Sequence, residues 1–350
     1  MSGIHIETTK NSRINAVDFN NIPFGRIFAD HMVEIDYNNG AWQAPKIIPY
    51  QNLSLSPALS CMHYGQAIFE GMKANKTPNG EIILFRARDN AERLNQSAMR
   101  LAMPQIPVDT FLSTLKEWLK LDSAWIPEKD NTAFYIRPFM IATDTFLGVK
   151  PSDNYKFIMY GCPVGAYYTK NLRIKVELNY VRAAAGGVGY VKAAGNYAAS
   201  LYPASLVQKE GYDQLLWTDA LEHKYVEELG TSNFFAIIDE ALYTPQLDGT
   251  ILEGITRDSV IQLAKNLGMK VHEQALSLEF LSDSYKKGLF TEAFATGTAA
   301  TIAPIELLQY QEETMKFITG NGSVAQKLGN TLNNIKIGKE EDPFNWIILI

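Results

Sequence analysis

Along the first half of the chain, short runs of branched apolar residues give way to stretches of helical spacing. EIILFRAR (81–88) reads as a strand from its β-branched core. The next segment, DNAERLNQSAMRLAMP (89–104), carries Leu94, Ala98 and Leu101 at near-helical intervals. It opens on Asp89 or Asn90 as a helix cap and stops at Pro104. A second helix is expected over TFLSTLKEWLKL (110–121), followed by two buried strands, AFYIRPFMIAT (133–143) and YKFIMYGCPV (155–164).

Beyond Val164 the segment GAYYTKNLR turns polar and glycine-bearing, as a linker would. The expected organisation is a small N-terminal domain over 1–164, an interdomain loop over 165–175 and a larger C-terminal domain over 176–350. The second half opens with a strand and turn, IKVELNYVRAAAGG (174–187). A helical stretch, AASLYPASLVQKEGY (198–212), follows despite Pro203. Three strands joined by turns are expected in QLLWTDALEHKYVEELGTSNFFAIID (214–239). TRDSVIQLAKNLGMKV (256–271) predicts a helix with Thr256 or Asp258 near its cap and Gly268 at its end. This order fits an α/β protein of the α+β type, two domains with mixed or antiparallel sheets, better than one regular βαβ wind.

Composition narrows the function. With 46% hydrophobic and 20% charged residues the chain is globular, and its net charge of -6 is spread out, without a nucleic-acid footprint. The most apolar region, AFATGTAATIAPIELL (293–308), is too short and too broken to span a bilayer. Two cysteines, Cys61 and Cys162, form no CxxC pair, and MSGIHIETTK lacks a signal pattern, so a cytoplasmic location is expected. Phosphate-loop, zinc-helix, nucleophile-elbow and dinucleotide motifs are absent. The five histidines lack ligand spacing, so no metal is expected and each reads as structural.

One segment stands out: GYVKAAGNYAAS (189–200) sets Lys192 among residues too small to cover it. Such a lysine either reaches solvent or lies beside a flat ligand that fills the space. If that ligand is pyridoxal phosphate, the amine holds its aldehyde as an imine. Its ring nitrogen then needs an acid, for which Glu228 in EELGTSN is the candidate, ahead of a turn whose amides near Gly230 and Thr231 can donate to phosphate. Arg93 is one of several arginines whose planar fork suits that phosphate.

Eight segments in order carry a resemblance: HYGQAIFEGMK (63–73), LFRARDNAERLNQSAMRLAMP (84–104), FYIRP (134–138), GCPVGAYY (161–168), GYVKAAGNYAAS, EELGTSN (227–233), LEGITRDS (252–259) and FATGTAATIAPI (294–305). Together they resemble the branched-chain amino-acid aminotransferases, pyridoxal-phosphate enzymes of fold type IV, over nearly the whole chain from PFGRIFADHM (23–32) onward. The resemblance implies a ping-pong exchange of amino groups between leucine, isoleucine or valine and 2-oxoglutarate. Lys192 holds the cofactor and shuttles the proton, Tyr197 faces the ring 3-oxygen and Glu228 the ring nitrogen. Arg93, Thr231, Ile255, Thr256 and Thr298 bind phosphate.

On the substrate side it implies carboxylate contacts from the Thr298–Ala299 turn, Tyr135 and Arg137, with Arg137 also meeting glutamate's second carboxylate. Phe24, Phe69, Tyr167 and Tyr197 form the apolar wall. Tyr64, Leu147 and Val149 resemble the positions that such enzymes lend to a partner subunit, which implies a homodimer. The redox CxxC of some animal members is replaced by Ala300 and Ala303. Two alternatives stay open: another fold type IV enzyme (a D-amino-acid aminotransferase or an aminodeoxychorismate lyase), or a catalytically silent metabolite-binding relative. The apolar end FNWIILI suggests packing or a subunit contact.

Overall fold

The structure, a computed structural model, describes residues 3–165 and 170–350. It divides into two compact units, one of residues 1–167, 192–195 and 335–350, the other of 168–191 and 196–334. Of the expected linker at 165–175, residues 166–169 lie outside the described ones, and its end is not a loop: Leu172–Val176 is a strand.

The first unit is built on a ten-stranded sheet. Its path runs His5–Ile6, Lys46–Pro49, His31–Asn38, Tyr155–Val164, Ala133–Ala142, Met72–Lys76, Ile82–Phe85 and Ile347–Leu349. Ala41–Trp42 and Ala67–Phe69 pair off this path with His31–Asn38 and Ala133–Ala142. The central strand Ala133–Ala142 alternates from Phe134 onward. Phe134, Ile136 and Met140 enter a core with Phe111, Trp118 and Phe157, while Tyr135 and Arg137 share the opposite face. The apolar chain end is a strand here, Ile347–Leu349, laddered antiparallel to Ile82–Phe85, with the Trp346 ring edge-on to Phe85 at 5.5 Å.

The helix expected from Asp89 or Asn90 begins earlier, spanning Ala87–Arg100. Arg86 caps it in the left-handed region at φ 50°. Asp89 lies in the first turn, where it accepts from Arg86 Nε at 3.0 Å and suits the helix dipole. The helix Val108–Leu121 matches the expectation. His31 is structural: its Nε2 accepts from the Thr9 amide and its Nδ1 meets buried Asp122 at 2.6 Å.

The second unit carries a mixed ten-stranded sheet. Asn233–Ile238, Phe290–Gly297, Thr301–Tyr310, Leu172–Val176, Gln214–Thr218 and Tyr225–Leu229 pair in that order. A further pairing of Glu228 with Asn233 closes these six into a ring. Leu172–Val176 runs parallel to both of its neighbours. Phe234, Leu216, Ile305 and Leu308 fill the core. The helix expected to cap at Thr256 or Asp258 spans Ile255–Asn266 and is capped by Gly254. The reason is steric, since a Cβ on Gly254 would fall 2.0 Å from Asn233 Oδ1. Among the described residues no helix is long and apolar enough to cross a membrane, and no group of three or more acidic, histidine or cysteine side chains could hold a metal.

Candidate active site

In the first unit the lysine segment is fixed by its backbone. Lys192 N donates to Ser97 Oγ at 3.1 Å, Lys192 O accepts from Phe69 N at 3.2 Å, and Ala193 bridges Ile68. The lysine thus joins the edge of Ala67–Phe69, and its small neighbours permit that close approach. Its Nζ stands 5.1 Å from the centroid of the Phe69 ring, and the Arg137 guanidinium lies over the same ring at 4.8 Å. Arg137 Nη2 donates to the Tyr135 hydroxyl at 3.2 Å, and Phe24 meets the Tyr135 ring edge-on at 5.4 Å. Gly71 admits this arrangement, because a Cβ there would fall 2.2 Å from the Tyr135 hydroxyl. Phe24, Phe69, Tyr135, Arg137 and Lys192 are therefore brought together.

Arg93 is buried on the helix Ala87–Arg100, and its fork grips a carboxylate that sequence reasoning missed. Nε and Nη2 donate to Glu70 Oε1 and Oε2 at 2.7 and 2.9 Å, and Glu70 is fully buried. One turn on, Ser97 Oγ, which holds Lys192, donates to Arg93 O at 3.1 Å. Glu70, Arg93, Ser97 and the Lys192 backbone thus form one connected set. A carboxylate between an aromatic residue and a glycine, in FEG, was the only signal for Glu70.

In the second unit Glu228 is buried near the end of Tyr225–Leu229. It pairs with Arg182 Nη1 at 2.8 Å and accepts from Asn233 Nδ2 and Leu252 N, each at 3.2 Å. Arg182, also missed from sequence, is fixed by donating to the Gly189 and Thr250 carbonyls. Three backbone corners converge nearby. The turn holding Thr231 lies against Gly297, whose added Cβ would be 3.6 Å from Thr231 O. Gly297 opens the Thr298–Ala300 hairpin turn, and Gly254, before Ile255 and Thr256, lies against Asn233. Tyr197 is half-buried on the helix Ala194–Lys209.

Among the remaining expected residues, Tyr64, Leu147 and Val149 are exposed, at 43%, 76% and 86%. Such apolar exposure suits positions covered in an assembly. Tyr167 lies outside the described residues. Both cysteines are free, and burial pushes both thiols up, away from reactive thiolate.

The first unit thus holds a lysine amine beside an aromatic face, and the second a buried carboxylate braced by arginine near three backbone corners. The chain belongs to the class IV aminotransferase family, whose model matches residues 67–308. Within that family it is similar to branched-chain enzymes. It is 44% identical over 348 residues to the branched-chain-amino-acid aminotransferase 2 of Bacillus subtilis (strain 168), with 98% of this chain and 96% of the relative covered.

Solved structures agree. A Thermoproteus uzoniensis branched-chain aminotransferase with norvaline superposes with TM-score 0.75 at 25% identity, covering 90% of this chain and 98% of the other. The T.th. branched-chain enzyme complexed with N-(5'-phosphopyridoxyl)-L-glutamate gives 0.72 at 26%, covering 90% and 97%. The family depends on pyridoxal 5'-phosphate, and residues present here fit it. Ser232 Oγ and Thr296 Oγ1, beside the converging turns, are buried hydroxyls with no partner among the described residues. Buried orphans of this kind suit an anion's oxygens.

Proposed function

We propose that this protein transfers the amino group of leucine, isoleucine and valine to 2-oxoglutarate, and runs the reverse exchange from glutamate, using pyridoxal 5'-phosphate. The observation that carries the reading is Lys192, tied through both its backbone amide and carbonyl so that its amine is held at the Phe69 face. When bound, the cofactor supplies an aldehyde and an electron-accepting ring. Lys192 Nζ would hold the cofactor through its aldehyde and would serve as the base that takes the proton from the amino acid's α-carbon. Glu228 serves the ring nitrogen and Tyr197 the ring 3-oxygen. Arg93, braced by Glu70, binds phosphate together with Thr231, Ile255, Thr256 and Thr298.

On the substrate side, the Thr298 and Ala299 amides, Tyr135 and Arg137 orient the α-carboxylate. Phe24, Phe69, Tyr167 and Tyr197 exclude water from an apolar side chain. One methylene in such a pocket is worth only about 1–3 kcal/mol, so the three branched substrates are weakly discriminated. The norvaline and phosphopyridoxyl-glutamate named with the two structural relatives support both substrate halves. Exposed Tyr64, Leu147 and Val149 support a homodimer in which they complete the partner's pocket. We assign the enzyme to the cytoplasm, where free thiols such as Cys61 and Cys162 stay reduced.

The reading is tested by the visible spectrum of the purified protein, recorded before and after adding L-leucine without an oxo acid. The band of bound cofactor should shift as the amine form accumulates. A protein that stays colourless after pyridoxal phosphate is supplied overturns the proposal. Activity on D-alanine in preference to L-leucine would reassign it within the fold type.

Arg137→Ala should raise the KM for glutamate about tenfold more than that for leucine, because only glutamate brings a second carboxylate to a charge-assisted hydrogen bond. Steady-state kinetics with both donors give the comparison. Equal shifts would move that role to another residue.

A further inference from the structure

Glu227 and Glu228 are consecutive on the strand Tyr225–Leu229 and project to opposite faces, yet both are buried. Glu228 has Arg182. Glu227 has a hydroxyl: Thr250 Oγ1 lies 2.7 Å from Glu227 Oε1 and 2.7 Å from Asp248 Oδ1. Asp248 Oδ1 also accepts the Thr250 amide at 3.0 Å. A hydroxyl has one hydrogen to give. With both carboxyls ionised, one would face the Thr250 oxygen at hydrogen-bond distance with no hydrogen between them. One of the two therefore carries a proton.

The surroundings decide which. Asp248 is exposed to water and accepts the Thr250 amide. Glu227 is 4% exposed, and its Oε2 has no partner among the described residues, a setting that favours the neutral acid. Glu227 Oε1–H thus donates to Thr250 Oγ1, and Thr250 Oγ1–H donates to Asp248 Oδ1, a two-bond path from the interior to solvent.

We propose that Glu227 is a positioning residue kept as the neutral acid by its burial beside Thr250, so that the single positive charge of Arg182 is reserved for Glu228. The proposal rests on the assignment of Glu228 to the ring nitrogen. Arg182 Nη1, which pairs with Glu228 at 2.8 Å, also donates to the Thr250 carbonyl at 3.0 Å, so one residue links both carboxyls. An ionised Glu227 would compete for that guanidinium.

Three charged groups act on Glu227: Asp248 from the loop after Ala241–Thr244, Arg182 from the loop after Leu172–Val176, and Glu228 on its own strand. Burial pushes the Glu227 carboxyl up from its ordinary 4.5 to about 7, with Asp248 and Glu228 adding to the effect and Thr250 and Arg182 opposing it. The folded state thus binds the proton more tightly than the unfolded chain. Its contribution to stability is full below 4.5 and is lost as pH rises through about 7.

The test begins with cofactor-free protein, titrated across about pH 7 by infrared difference spectroscopy with thermal unfolding alongside. A protonated-carboxyl stretch should disappear as pH rises through that value and be missing from Glu227→Gln. In Asp248→Asn, which alters only an exposed side chain, it should titrate at lower pH, since a nearby negative charge has gone. Wild-type stability should fall with pH over this window more steeply than that of Glu227→Gln. A wild-type spectrum without such a band, or one that persists in Glu227→Gln, overturns the proposal.

In the holoenzyme, the cofactor absorption and kcat should show an inflection at the same pH, and Glu227→Gln should be flat there. A titrating Glu227 band that the holoenzyme spectrum does not follow overturns the coupling to Arg182 and Glu228. Failure of the Glu228 assignment shows separately, as an unchanged rate in Glu228→Gln.

Discussion

Lys192→Ala protein should fold as the parent does and turn over at least about 10⁴-fold more slowly. The contacts that fix this position are made by backbone atoms, the amide to Ser97 and the carbonyl from Phe69, and alanine keeps both. The lost groups are the methylene stem and the amine near Phe69. The variant's thermal midpoint should therefore correspond to a change of no more than about 1 kcal/mol, which separates lost chemistry from lost structure. The proton transfer at the α-carbon needs a base at a fixed place, so a small primary amine added to the buffer should restore part of the rate. Single-turnover absorbance with L-leucine measures both effects. A variant with parental kcat would remove Lys192 from the mechanism.

Glu228→Gln should retain cofactor and lose about 10²- to 10³-fold in kcat, because a neutral amide cannot stabilise the charge that develops on the ring nitrogen. The structure adds a second expectation, in stability. Arg182 is buried against Glu228 at 2.8 Å, so the amide leaves a guanidinium without its counter-charge, at a cost of up to about 3 kcal/mol. Combining Glu228→Gln with Arg182→Met should recover much of that stability and none of the rate. Denaturant unfolding and kcat on the two variants tell the roles apart. Recovery of rate in the double variant would mean that the carboxylate acts only as a partner for Arg182.

The strands and helices were legible where one periodicity ran unbroken. The alternation of Ala133–Ala142 and the helical spacing of Val108–Leu121 are examples. The start of Ala87–Arg100 was not, because Arg86 caps it from the left-handed region, a conformation that no side-chain preference announces. The residues expected to do chemistry sit in short motifs, and the structure gathers Phe24, Phe69, Tyr135, Arg137 and Lys192 within one unit. Their braces were invisible. Glu70 and Arg93 are 23 positions apart, and only the close approach of Ala67–Phe69 to the helix Ala87–Arg100 pairs them. Arg182 read as part of a turn, since nothing local marks an arginine that will face a carboxylate on a distant strand. Thr250 likewise became informative only when two carboxyl oxygens were found on one hydroxyl.

The ladder between Ile347–Leu349 and Ile82–Phe85 bears on how the chain is made. The first unit begins and finishes on either side of the second, so its sheet cannot be completed on the ribosome until the intervening unit has been synthesised. Until then Ile82–Phe85 offers an open edge with unpaired backbone donors and acceptors, the kind of surface on which partly made chains pair wrongly. Closing that edge joins residues very distant in sequence, a contact of high order that forms late. The apolar tail is thus the seal of a sheet begun much earlier in translation.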